Sequence, residues 1–370
     1  MMFCVRVPRV IFVLAVILFF PCRSHAQQTV APPPSAAAAR PSQSDEKSQQ
    51  PQNPAPTAAQ PPAEAPQSNT KTPPITSTTG LVHLVATVMD RRRNFVTDLD
   101  QSDFKILEDG APQDIRYFGR ETDLPLRIGI LLDTSNSIRP RLEFEKDAAT
   151  DFLQHVIRRN KDEAFLMTFD NEPEVIQDYT GDIAMLTDAI RKQRAGGGTA
   201  LNDAIYRAAE KLSNPPLPKG PNPEVRRVLV VISDGDDNLS DHALSESVEA
   251  AIRAEAAIYC ISTNTDWLSI SGDKPHKMHV EGGDKVLEEF ADQSGGRVFY
   301  PYKVDDLAQS FVDISTELRS QYFIAYSPSN VQSTGKYHKI DVQTDRKGLN
   351  VRTRKGYYAT TPTSPLAPSK

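Results

Sequence analysis

Asp133, Ser135 and Ser137 stand at alternate positions where the apolar run Leu126-Arg127-Ile128-Gly129-Ile130-Leu131-Leu132 ends. One carboxylate and two hydroxyls are hard oxygen donors, the kind that hold Mg2+ or a similar hard cation rather than a soft metal. The run before them is long enough for one strand and too short for a helix. Being apolar almost throughout, it fits a strand covered on both faces, as in a parallel sheet under helices. Taken alone, D-x-S-x-S serves equally well as a cap for the helix that follows, because a side-chain oxygen there accepts from the open N–H groups of the first turn.

Two later stretches bear on that choice. Arg194-Ala195-Gly196-Gly197-Gly198-Thr199-Ala200-Leu201 sets a hydroxyl after a glycine loop and just before a helical pattern. Val228-Leu229-Val230-Val231-Ile232-Ser233-Asp234-Gly235 is a second buried-strand pattern ending in a carboxylate. D-x-S-x-S, G-G-T and S-D-G, in this order and on these elements, resemble the von Willebrand factor type A domain. Asp133, Ser135, Ser137, Thr199 and Asp234 match the metal-ion-dependent adhesion site of that family without a substitution. The resemblance implies that Ser135 and Ser137 bind the metal directly, Thr199 directly or through water, and Asp133 and Asp234 largely through water. It implies Mg2+ foremost, with Mn2+ or Ca2+ as alternatives. So few directly bound carboxylates leave the ion under-neutralised, and an acidic side chain of a protein partner can take the open position.

The elements that must position these residues follow from hydrophobic periodicity. Between 126 and 320, strand and helix patterns alternate, which predicts an α/β fold with a doubly wound, mostly parallel sheet. In strand order 3-2-1-4-5-6 the first and fourth strands are neighbours where the winding reverses, and ligands bind beyond their carboxyl ends. Asp133 ends the first strand and Asp234 the fourth, so residues far apart in sequence should meet. Ala164–Phe169 reads as the second strand, Glu174–Asp178 as a short third at an edge, Ala257–Ile261 as the fifth and Arg297–Tyr300 as the last. Apolar stripes at helical spacing mark helices around Ala148–Val156, Leu201–Leu212, Leu244–Ile252, Gly283–Ser294 and Leu307–Leu318.

On either side the pattern is β. Leu81–Asp90, Phe104–Glu108 and Ile115–Phe118 precede the α/β region, with Arg91-Arg92-Arg93-Asn94 as a solvated turn. Gln321–Tyr326, Tyr337–Val342 and Leu349–Arg354 follow it as alternating strands. These are too few on each side to be independently stable, since isolated hairpins are marginal. They are expected to pair into a small flanking β module, 80–122 with 321–360, around a von Willebrand factor type A domain at 123–320, leaving a flexible tail at 361–370. The D-F-x-I-x-E-D-G stretch before that domain and Q-Y-F-I-A-Y-S-P after it resemble the bacterial secreted VWFA-related family, over about residues 80–360.

The remaining 79 residues are of another kind. Arg6 and Arg9, the apolar core Val10–Phe20 and Ser24-His25-Ala26 read as a secretory signal at 1–26, cleaved after Ala26 or kept as an anchor. Residues 27–79, rich in Pro, Ala, Gln, Ser and Thr, read as a disordered linker. The expected location is secreted, periplasmic or cell-surface, with no transmembrane span in the mature chain. Of the 3 cysteines, Cys4 and Cys22 fall in the signal, so Cys260 has no internal disulfide partner; within an apolar run it reads as a small core residue.

Composition excludes some chemistries. A formal charge of −6 without a basic block argues against nucleic-acid binding. The glycine loop lacks the lysine of a phosphate loop, and neither G-x-S-x-G nor H-E-x-x-H occurs. Asp234-Gly235-Asp236-Asp237-Asn238 starts like a calcium loop, but Leu239 stands where glycine is needed. His276 and His279 sit in a proline- and glycine-bearing stretch without cysteine, a poor zinc site. Asp170 and Asp203 would either enlarge an acidic rim or finish local structure. The expected function is a non-enzymatic, metal-dependent binding or adhesion module. The alternatives are a structural envelope protein with a fold-locking metal, and a metal-dependent hydrolase.

Overall fold

Four strands come first among the described residues: β1 (Val82–Met89), β2 (Phe104–Glu108), β3 (Ala111–Gln113) and β4 (Ile115–Gly119). The computed structural model describes residues 80–120, 124–214, 225–264, 282–301, 304–329 and 335–359. The expected signal, the proline-rich linker, the tail at 361–370, and His276 and His279 lie outside the described residues.

Strands and helices then alternate. They run β5 (Leu126–Asp133), α1 (Leu142–Val156), β6 (Glu163–Phe169), β7 (Pro173–Thr180), α2 (Ile183–Arg191) and α3 (Leu201–Ser213). After them come β8 (Arg226–Ser233), α4 (Leu244–Arg253), β9 (Ala256–Ser262), α5 (Gly282–Ser294), β10 (Arg297–Phe299) and α6 (Val304–Leu318). The chain returns to β with β11 (Tyr322–Tyr326), β12 (Tyr337–Thr344), β13 (Asn350–Arg352) and β14 (Gly356–Tyr358).

The central sheet has the order β10-β9-β8-β5-β6-β7, the doubly wound arrangement expected from the alternation. Its pairings are parallel except β6 with β7. Every residue of β5 is buried, because β6 and β8 flank it and helices cover both faces. Alternate side chains go to opposite sides. Ile128, Ile130 and Leu132 join a core with Phe152 of α1 and Phe311 of α6, whereas Leu131 joins one with Leu201 and Ile205 of α3 and Phe290 of α5. Gly129 is required between them: a Cβ there would lie 2.5 Å from the Phe165 ring and 2.6 Å from Leu229.

Three local expectations need correction. The edge strand is not short: β7 spans 8 residues and runs antiparallel to β6, with its register shifted twice. Helix α2 was not anticipated; Leu186, Ala189 and Ile190 give it a buried stripe, and the Asp182 side chain caps it by accepting the Ala184 N–H at 2.9 Å. Finally, β11 does not alternate between buried and exposed. All five residues are buried, because Tyr322, Ile324 and Tyr326 enter the β core while His83 tilts over Phe323 on the other face, ring centroids 5.5 Å apart.

The flanking strands form two four-stranded antiparallel sheets, β13-β1-β11-β4 and β14-β12-β2-β3, each mixing residues from both sides of the α/β region. One core joins them: Val82, Leu84, Ala86 and Val88 of β1 alternate into it, with Phe104 and Ile106 of β2, Ile324 of β11 and Ile340 of β12. Glu317 of α6 ties this part to the central sheet. Its Oε1 accepts from the hydroxyls of Tyr259 (2.7 Å) and Thr87 (3.2 Å) and from the Arg352 guanidinium. Because β11 and β13 are both neighbours of β1, a chain truncated after Ser320 is expected to lose slow amide exchange across Val82–Met89. Retained protection, read by hydrogen exchange, would show that β1 holds its place without them.

Candidate metal centre

β5 and β8 run parallel in register, Leu132 opposite Ile232, so Asp133 leaves the sheet beside Ser233. The Ser233 hydroxyl donates to Asp133 Oδ2 at 2.7 Å, and the Ser135 N–H donates to Asp133 Oδ1 at 2.9 Å. The hydroxyl oxygens of Ser135 and Ser137 lie 2.9 Å apart. Asp133, Ser135, Thr199 and Asp234 are all buried. Burial drives the Asp133 carboxyl up to about 6; the hydrogen bonds from Ser233 and Ser135 oppose it, and the charge of Asp234 adds to it.

Two further loops close around this one. The Gly196 N–H donates to the Thr134 carbonyl at 2.7 Å, while the backbone and side-chain amides of Asn136 donate to the Gly197 carbonyl at 3.2 and 3.0 Å. The Thr199 N–H donates to Asn238 Oδ1 at 3.0 Å, and the Thr199 carbonyl accepts from the N–H groups of Asn238 and Leu239. Thr199 is thereby fixed between the loop after β5 and the loop after β8. Gly235 has φ +80, and a Cβ there would lie 2.2 Å from the Gly283 carbonyl, so the turn beside Asp234 admits glycine alone. All five sequence-predicted residues therefore sit on three mutually bonded loops at the carboxyl end of the sheet.

Residues 128–236 match the family model of the von Willebrand factor type A domain. This stretch is a von Willebrand factor type A domain. No curated protein matches the chain. Among solved structures, BatB from Bacteroides thetaiotaomicron is similar at 19% identity, over 52% of this chain and 97% of its own, with a TM-score of 0.40. A von Willebrand factor type A protein from Catenulispora acidiphila is similar at 13% identity, over 77% of this chain and 75% of that one, TM-score 0.43. Proximal thread matrix protein 1 from the mussel byssus, solved with a zinc-occupied MIDAS motif, is similar at 17% identity, over 57% of this chain and 50% of that one, TM-score 0.42.

Within the A domain the donors available are three hydroxyls and two carboxylates. Among the described residues no group of three or more histidine, cysteine, aspartate or glutamate side chains is arranged as a metal cluster. The set is all oxygen, which suits a hard ion rather than one selected by nitrogen or sulfur. Two neighbouring acids, Asp237 and Asp170, are engaged elsewhere. Asp237 accepts from the Asn202 N–H (2.7 Å), the Ser240 N–H (3.2 Å) and the Ser240 hydroxyl (2.6 Å), which binds the loop after β8 to the start of α3. The Asp170 carboxylate turns back onto the Asn171 N–H.

Asp203 is not a rim residue. It is buried and accepts from the Asp241 N–H (3.1 Å) and the His242 N–H (2.9 Å), and its Oδ1 lies 2.7 Å from His242 Nδ1. Burial works to raise its carboxyl, but the His242 hydrogen bonds outweigh that and hold it below the ordinary value. The His242 ring also stacks on Tyr206 with centroids 3.8 Å apart. The sequence reading missed this pair, since 39 positions separate its members. It likewise passed over Glu145, a buried carboxylate of α1 that feels both Asp133 and Asp234. Cys260 is buried, and its thiol is pushed up by that burial, as befits a core residue.

Proposed function

We propose that the A domain is a metal-dependent protein-binding module. Ser135, Ser137 and Thr199 would hold a hard divalent cation, Mg2+ foremost, with Asp133 and Asp234 acting largely through water. When bound, the ion supplies an electrophilic position for an acidic side chain of a partner protein. The observation that carries this reading is the donor set itself: three hydroxyls and only two carboxylates on three bonded loops at the carboxyl edge of the sheet. With Asp133 and Asp234 acting through water, no carboxylate of this set sits directly on the ion, whose inner shell is then open to an external carboxylate.

The chain's organisation fits display of such a module outside the cytoplasm. We take 123–320 as the A domain and 80–122 with 321–360 as its β support. A signal at 1–26 and a linker at 27–79 would carry it to, and hold it away from, the envelope. No helix among the described residues is long and apolar enough to cross a membrane.

The test is capture of envelope proteins by the full chain in Mg2+, in chelator, and by the Asp133→Ala variant. A partner retained only by the wild type in Mg2+, and displaced by a competing carboxylate, is the expected result. Capture indifferent to metal would overturn the reading. Chelator should leave the far-UV signal unchanged; unfolding on chelation would point instead to a fold-locking ion.

A further inference from the structure

Glu145 lies in the first turn of α1 and is 1% exposed, yet neither of its carboxylate oxygens has a hydrogen-bond partner. A buried, unpartnered carboxylate is costly unless a positive charge faces it. Arg141, one turn earlier, is the cation that acts on it, and the N-terminus of α1 adds a weaker positive field. Against these stand two negative charges, Asp133 and Asp234. Burial foremost, then Asp133, pushes the Glu145 carboxyl up to about 8, and Arg141 only partly offsets them.

The placement is specific. Glu145 lines a cavity of about 10 Å3 with Arg141, Ser262, Thr263 and Leu307, between α1, the end of β9 and α6. Arg141 Nη1 and Thr263 Oγ1 are likewise buried without partners. Thr263 in turn donates its N–H to the Ser233 carbonyl at 3.0 Å, and Ser233 is the residue whose hydroxyl holds Asp133. The cavity therefore adjoins the metal centre from the α1 and α6 side of the sheet. Glu143, two positions earlier on the same helix, is exposed and pairs with Lys146 at 2.8 Å. The sequence thus provides both a buried acid toward the site and a solvated one away from it.

We propose that Glu145 is a third carboxylate of the cation site, one that holds the ion by charge from the α1 side without ligating it directly. The inference rests on the metal-binding reading above. It assigns the site three acidic groups where the family motif supplies two. It also gives the unpartnered Glu145 its counter-charge: the ion itself. Outer-sphere partners of a metal typically contribute about ten- to a hundredfold in affinity.

Calorimetric titration of Mg2+ at pH 8 into the full-length wild type, Glu145→Gln, Glu143→Gln and Asp133→Ala tests it. Glu145→Gln is expected to raise the Mg2+ dissociation constant about tenfold, and Glu143→Gln to leave it within about twofold, because an exposed charge is screened. Without metal, Glu145→Gln should melt no lower than the wild type, and its Tm should rise less on adding Mg2+. Wild-type affinity in Glu145→Gln, with binding lost in Asp133→Ala, would overturn this inference and leave the site reading standing. Equal Mg2+ affinity in wild type and Asp133→Ala would overturn both. Should Glu145→Gln not fold, Arg141→Gln decides: removing the cation is expected to tighten Mg2+, and unchanged or weaker binding counts against the proposal.

Discussion

Asp133→Ala is expected to weaken Mg2+ binding by about a hundredfold, the upper range for loss of a group that orients a metal's ligands, while the fold persists. The Asp133 carboxylate accepts from the Ser135 N–H of its own loop and from the Ser233 hydroxyl of the neighbouring strand. Removing it takes away a negative charge and the acceptor that orients the Ser135 backbone, and with it the hydroxyl beside Ser137. The fold has little reason to fail, because the burial that stabilises it lies deeper, in the side chains of β5 and β8 and the helices over them.

The metal-free variant follows from two opposed effects. The Ser233 hydroxyl and the Ser135 N–H lose their acceptor, at about 1–3 kcal/mol for each buried group left unsatisfied. Against this, the wild type carries a carboxyl raised from 3.8 to about 6, which corresponds to ~3 kcal/mol once ionised. A raised acid contributes its stability in full below the unfolded value and loses it as pH rises through the folded one. Without metal, the wild type should therefore exceed Asp133→Ala most at pH 4 and least above pH 6. With Mg2+ present, its advantage should return at neutral pH. Because the Asp133 carboxylate would have to be deprotonated to accept from the ion's water, wild-type Mg2+ affinity should also fall below about pH 6. Calorimetry and thermal unfolding at pH 4.5 and 8, with and without chelator, read all three. Identical Mg2+ affinity in the two proteins would remove the adhesion-site reading.

The residues legible in the sequence are those whose role is carried by their own element. Asp133 and Asp234 end apolar runs, and Thr199 follows a glycine loop, so a local pattern names each and the doubly wound order brings them together. The pairing of the flanking strands was legible for a similar reason: each segment alone offers too few strands to be stable. What the sequence hides is which distant polar groups meet. Asp203 and His242 belong to different elements, and nothing in either neighbourhood marks them as partners. Glu145 occupies an ordinary acidic place near the start of a helix, and only burial without a partner distinguishes it from Glu143. Helix α2 escaped because it is 9 residues long, little more than two turns, so its stripe of Leu186 and Ile190 repeats too few times to stand out.

Asp162 illustrates the same point with the largest expected effect on stability. Its side chain is fully buried, and it gathers three parts of the α/β region. Oδ1 accepts the Leu126 N–H at 2.9 Å, at the first residue of β5, and Arg158 Nη2 at 3.0 Å. Oδ2 accepts the Arg158 N–H (3.0 Å), Arg158 Nε (2.9 Å) and Arg319 Nη2 (3.0 Å), the last from just beyond α6. Burial works to raise this carboxyl, but the Arg158 and Leu126 hydrogen bonds and the Arg319 charge outweigh it and hold it below the ordinary value. Asp162→Ala leaves two arginines facing an empty acceptor and the Leu126 N–H without a partner. Breaking a buried pair from one side costs about 3–5 kcal/mol, and that loss is expected in the denaturant midpoint, with the slope unchanged. Asp162→Asn keeps one acceptor oxygen and should fall between wild type and Asp162→Ala. Because the folded value is depressed, the contribution is present above the unfolded pKa of about 3.9 and lost as pH falls through the folded one. The gap between wild type and Asp162→Asn should therefore hold from pH 5 to 8 and narrow in stronger acid. A variant within about 0.5 kcal/mol of wild type, the range of an ordinary surface substitution, would mean that Asp162 does not anchor β5 and α6 to one another.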